Sequence, residues 1–318
     1  MKKKKIAKYP SPKKFVRQKL QRTALSRLLP LLTLTCLLFI TFVGVFSQQA
    51  PALIPSRTTS LPSKQLSFQV TITPTPTTKR QQSLDLVAKT QAATEPQDYC
   101  VNIPVLFYHH VDPLADAQKA GHAQFSVDST VFEQQMSYLK QQGYITVALD
   151  TLVDGIINKK PFPPKTIGLT FDDGYSDMLT YAYPTLKKYG FIGNFAIATG
   201  LIDTPGYLSW EQLAEIARDP SMRIYNHTST HADLVNNPLQ AEDEIVTAQN
   251  VIQNRLGLRS HIFFYPYGSF SQSIIATLRS KGYVAAFTTL PGTLQCESSL
   301  MSLHRTRIGN APLSFYGL

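Results

Sequence analysis

The stretch Thr166-Ile167-Gly168-Leu169-Thr170-Phe171-Asp172-Asp173-Gly174-Tyr175 ends a short apolar run on two adjacent carboxylates. Its apolar and β-favouring residues, bounded by proline and glycine, predict a buried strand. Neighbouring residues on a strand face opposite sides, so consecutive aspartates share one site only where the strand ends and the backbone turns. Gly174 permits that turn. Asp-Asp-Gly is also the composition of a solvated turn, so its meaning depends on what stands around it.

On the N-terminal side, Val101 to Tyr108 reads as a first strand running into His109-His110. Phe132, Met136 and Leu139 recur at helical spacing, with Thr130 and Glu133 set as a capping box and Gly143 as the stop. Tyr144 to Ala148 is strand-like, and Asp150 to Ile157 helical. Beyond Gly174, helices are expected over Tyr183 to Tyr189, with Pro184 in the first turn, over Trp210 to Arg218, and over Pro238 to Arg255. Strands are expected over Ile192 to Thr199, Met222 to Tyr225, His261 to Tyr265, Val284 to Thr288 and Thr306 to Ile308. This alternation, repeated about seven times over residues 99–318, predicts a parallel α/β architecture, a β/α barrel of about seven strands. Chemistry in such barrels sits at the carboxyl ends of the strands, where Asp172-Asp173 and the other polar motifs fall.

Two of those motifs complete a constellation. His227-Thr228-Ser229-Thr230-His231 spaces two imidazoles four apart, so one helical turn would bring them to the same side. Two imidazoles and one carboxylate form a three-donor set for Zn2+ that leaves a position open, and Asp172 and Asp173 offer the carboxylate with one to spare as a base. In Phe263-Phe264-Tyr265-Pro266-Tyr267-Gly268, the proline stiffens a turn and can leave the Tyr267 N–H free as a donor for an oxyanion.

Asp-Asp-Gly, His-x-x-x-His and Pro-Tyr-Gly in this order resemble the polysaccharide deacetylase family, carbohydrate esterases with a NodB homology domain and a distorted (β/α) barrel. The resemblance covers about residues 101–318 and implies Asp172 as general base, Asp173, His227 and His231 as ligands of a divalent metal, Zn2+ by preference, and Tyr267 as oxyanion donor. Departures accompany it. Phe264 and Tyr265 stand where many members carry an arginine that buttresses the base, Tyr225 replaces a glycine, and Leu303-His304 only echoes a late Leu-x-His motif. Pro104-Val105-Leu106-Phe107-Tyr108-His109 and Phe287 to Gly292 look instead like the branch acting on poly-N-acetylglucosamine, which implies His109 as general acid, with His110 and His304 behind it. The implied activity is metal-dependent removal of N-acetyl groups from an extracellular polysaccharide. A peptidoglycan or chitin-oligomer deacetylase is the alternative within the enzymes, and a catalytically inactive, tethered glycan-binding protein the alternative outside them. A metallopeptidase would show a helical His-Glu-x-x-His, which the sequence lacks.

The chain's net charge of +10 has a local origin. Residues 1–27 hold eleven Lys/Arg and no acid, while the rest pairs 20 basic with 21 acidic residues. A nucleic-acid partner would want basic residues across a folded face, and they are not there. Residues 28–46 are uncharged and long enough to cross a bilayer, and the basic block before them orients a signal-anchor with its N-terminus in the cytoplasm, or a signal peptide if it is cleaved. Residues 47–98, rich in Pro, Ser, Thr and Gln, read as an extended linker to the domain at 99–318. Trp210 and Tyr207 are candidates to line a sugar groove, and Arg305 and Arg307 to contact substrate or a carboxylate. Cys100 and Cys296 flank the domain, either as a disulfide or as free thiols.

Overall fold

A computed structural model of the chain describes residues 98–318. The cytoplasmic segment, membrane span and linker expected over 1–27, 28–46 and 47–98 lie outside them, apart from Asp98. In chain order the strands are β1 (Cys100–Asn102), β2 (Val105–Tyr108), β3 (His110–Asp112), β4 (Ser126–Asp128), β5 (Ile145–Thr146), β6 (Thr166–Asp173), β7 (Gly193–Ile197), β8 (Met222–Asn226), β9 (Ile262–Phe264), β10 (Ala285–Phe287), β11 (Leu294–Cys296) and β12 (Thr306–Arg307). Seven of them form one parallel path, β10-β9-β8-β7-β6-β2-β12, with β5 added beside β6. The sheet curls into a half-barrel. Leu303, just before β12, bridges to Phe287 in β10, so one short segment touches both edges of the sheet.

Strand alternation sorts the buried side chains into two sets. Leu106, Tyr108, Leu169, Phe171, Phe195 and Ile197 face outward and share one core with Phe132, Met136, Leu186, Leu213 and Ile216 from the surrounding helices. Val105, Ala196, Tyr225, Phe264 and Phe287 face inward and meet Leu149, Leu152 and Ile156 of helix Leu149–Ile157. Burying each of those three side chains contributes about 1.5–3 kcal/mol. Asn194 satisfies the polar groups within this inner core: its amide donates to Val147 O and Leu169 O, and its oxygen accepts from Leu149 N. Tyr225 fills the interior and donates through its hydroxyl to Asp150.

The helices fall close to their expected positions, with differences at the caps. Helix Ser129–Gln141 is capped by Asp128, whose side chain accepts from Thr130 N, rather than by the expected Thr130/Glu133 box. Glu133 pairs with Lys188 instead. The carboxylate two residues earlier reaches the free N–H groups first. Helix Trp210–Arg218 carries a complete capping box, Ser209 with Gln212. The expected first strand is two, because the Ile103-Pro104 step interrupts it. Cys100 and Cys296 form a disulfide that joins β1 to β11, strands paired antiparallel. No helix among the described residues is long and apolar enough to cross a membrane.

Candidate active site

Asp172 belongs to the inward-facing set of β6, in register with Ala196 on β7, which in turn pairs with Tyr225 on β8. Asp173 would by alternation point outward into the helical layer. Instead its φ is +76°, so the backbone turns at Asp173 itself, one residue before Gly174, and both carboxylates are buried at the carboxyl end of β6. Seven non-glycine residues among those described have positive φ, and four of them, Asp173, Thr228, His231 and Tyr267, belong to the three motifs. Each such conformation costs on the order of 1–3 kcal/mol and persists only where the surroundings over-determine it.

The two histidines are brought together without the expected helical turn. Residues 227–231 form an irregular loop after β8, with Thr228 at φ +68° and His231 at φ +60°; a helix admits neither value. Even so, the Nε2 atoms of His227 and His231 each lie 3.2 Å from Oδ1 of Asp173. One ligand atom from each residue falls within 4.8 Å of the others. The His227 Nδ1 is 2.9 Å from Phe264 O, and since a carbonyl only accepts, Nδ1 carries the proton. In the neutral ring Nε2 then presents a lone pair toward an Asp173 oxygen that finds no hydrogen-bond partner among the described residues. Two acceptors directed at one another, with a ring fixed by a backbone carbonyl, are what a bound cation requires. The residues fit a divalent metal with one carboxylate and two imidazole ligands.

Asp172 has a different partner. Arg305, fully buried, donates through Nη1 to Asp172 Oδ1 at 2.7 Å and through Nη2 to Oδ2 at 2.8 Å. The same guanidinium donates to Thr288 O and Thr170 Oγ1 and lies between the rings of Phe107 and Phe264. Burial pushes the Asp172 carboxyl up, but the Arg305 charge and its hydrogen bonds outweigh that, so the pKa lies below the usual carboxylate range. Asp172 is thus an ionised carboxylate held off the histidine pair. The arginine missing before Pro-Tyr-Gly is supplied by the segment that bridges the two sheet edges. In the sequence Arg305 stands open to either substrate or a carboxylate, because its spacing from Asp172 carries no signal.

The surrounding cleft has a volume of about 590 Å3 and is lined by Asp172, Asp173, His227, His231, His109 and Tyr267, among others. His109 sits edge-on to Phe107, and its pKa is lowered, chiefly by burial, with Asp172 and Asp173 opposing. His110 is directed away: its Nδ1 lies 2.6 Å from Asp177, and its ring is stacked between His122 and Tyr175. His304 points its Nδ1 at Leu294 O and does not line the cleft. Tyr267 follows Pro266 at φ +60°, and its N–H finds no backbone acceptor among the described residues. Its ring is exposed, 4.7 Å from that of His231. Gly268 is obligatory next to it, because a Cβ there would stand 2.1 Å from Thr289 Oγ1. Tyr207 lines the cleft beside Tyr175, whereas Trp210 is buried in the outer core under Arg255. Arg307 reaches the rim over the ring of Phe125.

Residues 159–286 match the family model for polysaccharide deacetylases. The chain carries a polysaccharide deacetylase domain. It is a hydrolase acting on amides. Relatives agree with that assignment: the Bacillus subtilis protein YxkH, provisionally named a polysaccharide deacetylase, is 28% identical over 207 residues, 65% of this chain and 71% of that one. The poly-beta-1,6-N-acetyl-D-glucosamine N-deacetylase of Escherichia coli K12 is 24% identical over 248 residues, and the match spans 64% of this chain but 36% of that longer protein. Among solved structures, the Streptococcus pyogenes deacetylase PplD in complex with acetate superposes with a TM-score of 0.61 at 27% identity, covering 65% of this chain and 92% of that one. The matched segment holds Asp172, Asp173, His227, His231 and Tyr267, whereas His109 and Arg305 lie outside it.

Proposed function

We propose that this deacetylase removes N-acetyl groups from N-acetylglucosamine units of an extracytoplasmic polysaccharide, of the poly-N-acetylglucosamine type, with Zn2+ as its metal. The observation that carries the reading is the division of labour between the adjacent aspartates. Asp172 is held ionised by Arg305, while Asp173 shares one oxygen with two imidazole nitrogens. A module that only bound glycan would have no use for a buried carboxylate kept charged beside a metal-ligand set.

Asp173, His227 and His231 would hold the ion. A divalent cation there supplies Lewis acidity toward the acetamide carbonyl and eases deprotonation of water. Asp172 takes the proton from the attacking water, with Arg305 fixing both of its oxygens so that one lone pair faces the cleft. The Tyr267 N–H donates to the oxygen that gains charge as the carbonyl carbon becomes tetrahedral. His109, the one of the three candidate imidazoles that lines the cleft, protonates the departing sugar amine. Acetate and a glucosamine unit result. Tyr207 and the exposed Tyr267 ring offer flat apolar faces to pyranose rings.

The similarity to poly-N-acetylglucosamine deacetylases supports that polymer as substrate, and the basic and apolar segments at 1–46 support a membrane-anchored enzyme working outside the cytoplasm. Acetate release from poly-β-1,6-N-acetylglucosamine, chitin oligomers and peptidoglycan, measured side by side with and without chelator, tests the reading. Release from the first polymer that is abolished by chelator and restored by Zn2+ is expected. Preferred release from peptidoglycan would reassign the substrate, and release unaffected by chelator would remove the metal.

A further inference from the structure

The His227-to-His231 loop poses a mechanical problem. A β-branched residue, Thr228, and a metal-ligating histidine both sit at positive φ, conformations that an isolated chain would leave. The loop is held from two sides. From β7's end, Thr199 N donates to Thr228 O at 3.2 Å and Gly200 N to Ser229 O at 2.7 Å. Gly200 makes that approach possible, because a Cβ there would stand 2.9 Å from the same Ser229 oxygen. From the other side comes Glu244, one turn into helix Ala241–Leu256 and 9% exposed. Its Oε2 accepts from Ser229 N at 2.9 Å and from Thr230 N at 2.8 Å, and its Oε1 accepts from Thr230 Oγ1 at 2.7 Å. Thr228 N is met by Asn226 Oδ1 at 2.8 Å. Every residue between the two histidines is therefore pinned through its backbone, and Glu244 alone takes three of the donors.

We propose that Glu244 is a positioning residue of the metal centre, its carboxylate fixing Ser229 and Thr230 so that His227 and His231 meet at the same Asp173 oxygen. A carboxylate suits the task because both of its oxygens accept, and no neutral side chain of that length accepts at both ends. Its place in the first turn of a 16-residue helix favours the negative charge. The helix is in turn tied to β8, since Asn226 Nδ2 donates to Ile245 O and to the Tyr283 hydroxyl. Loss of the carboxylate leaves two amides and a hydroxyl without acceptors, and the loop relaxes toward ordinary φ values that part the imidazoles. The proposal rests on the metal reading of Asp173, His227 and His231.

The test measures Zn2+ affinity of the full chain by competition with a chromophoric chelator, together with thermal stability and amide exchange without metal. The set is wild type, Glu244→Ala, Glu244→Gln and, as control, Asp219→Ala. Asp219 also accepts three donors, Ser221 N, Ser221 Oγ and the Tyr183 hydroxyl, but it lies after helix Trp210–Arg218, before the start of β8 and away from the cleft. Glu244→Ala is expected to weaken Zn2+ binding by about 10–100-fold, the range for loss of a group that orients metal ligands. Glu244→Gln keeps one acceptor and should fall between it and wild type. Asp219→Ala should lose stability and keep its Zn2+ affinity. A Glu244→Ala protein destabilised like the control but binding Zn2+ as wild type does would overturn the proposal and leave a merely structural carboxylate. Should Glu244→Ala not fold, wild-type affinity in Glu244→Gln together with fast exchange of the Ser229 and Thr230 amides in the wild-type chain would overturn it equally. A wild-type chain that takes up no Zn2+ would overturn the metal reading and this proposal with it.

Discussion

Replacing Arg305 by Met keeps a long apolar stem and removes the only Lys or Arg side chain in contact with Asp172 among the described residues. The guanidinium is fully buried and makes four hydrogen bonds, two of them to the Asp172 carboxylate. Removing one partner of a buried ion pair costs about 3–5 kcal/mol, because the other is left charged in a medium that solvates it poorly. For a domain of this size, 1 kcal/mol moves Tm by about 2–4 °C, so a fall on the order of 10 °C is expected. The sign of the pH dependence distinguishes this account from a simple loss of packing. In the wild type the folded Asp172 pKa lies below its unfolded value. Its contribution to stability is therefore present above the unfolded pKa and lost as pH falls through the folded one. In Arg305→Met only burial remains of the two dominant effects, the folded pKa rises above the unfolded value, and the variant loses stability as pH rises between the two. The slope there approaches 1.4 kcal/mol per pH unit. Thermal unfolding from pH 4 to 8 of wild type, Arg305→Met, Asp172→Asn and the double variant measures it, and the acid limb of kcat/KM for acetate release should move to higher pH in Arg305→Met. If Arg305→Met kept the wild-type pH profile of stability, with the double variant costing the sum of the singles, Arg305 would not be what holds Asp172 ionised.

On the proposed roles, Asp172→Asn retains Zn2+ and loses nearly all turnover, whereas His231→Ala loses Zn2+; metal content by mass spectrometry beside acetate release separates the two, and near-normal turnover in Asp172→Asn would remove its role as base. His109→Gln should lower kcat about 100-fold or more with metal retained, while His304→Gln leaves kcat unchanged, since a positioned general acid is worth about 10²–10⁴-fold. Equal losses in the two would reassign the acid. Replacing both Cys100 and Cys296 by Ser opens the link between β1 and β11 and should cost about 2–5 kcal/mol in chemical denaturation. Unchanged stability would mean that the hydrogen-bonded pairing of the two strands suffices without it.

The sequence by itself determined the parts of this protein whose information is local. The alternation of strand and helix, the glycines that stop helices at Gly190 and Gly257, and the three motifs at strand ends are all written in windows of a few residues. Asp172, Asp173, His227, His231 and Tyr267 could be singled out because their chemistry depends on spacing along the chain. What the sequence could not supply was the backbone that makes those spacings work. His-x-x-x-His reads as one turn of helix, yet the imidazoles converge through a loop with two positive φ values, stabilised by contacts from β7 and from Glu244. The turn that lets adjacent aspartates share a site is legible in Gly174, yet it begins one residue earlier, at Asp173. The partner of Asp172 lies 133 residues away in sequence. No pattern couples Arg305 to Asp172, because the contact arises only when the segment at 303–307 bridges β10 on one side and joins β2 on the other. Local propensity fixed which groups stand at the ends of the strands, and the curling of the sheet, which brings its two edges to one short segment, decided which of them meet.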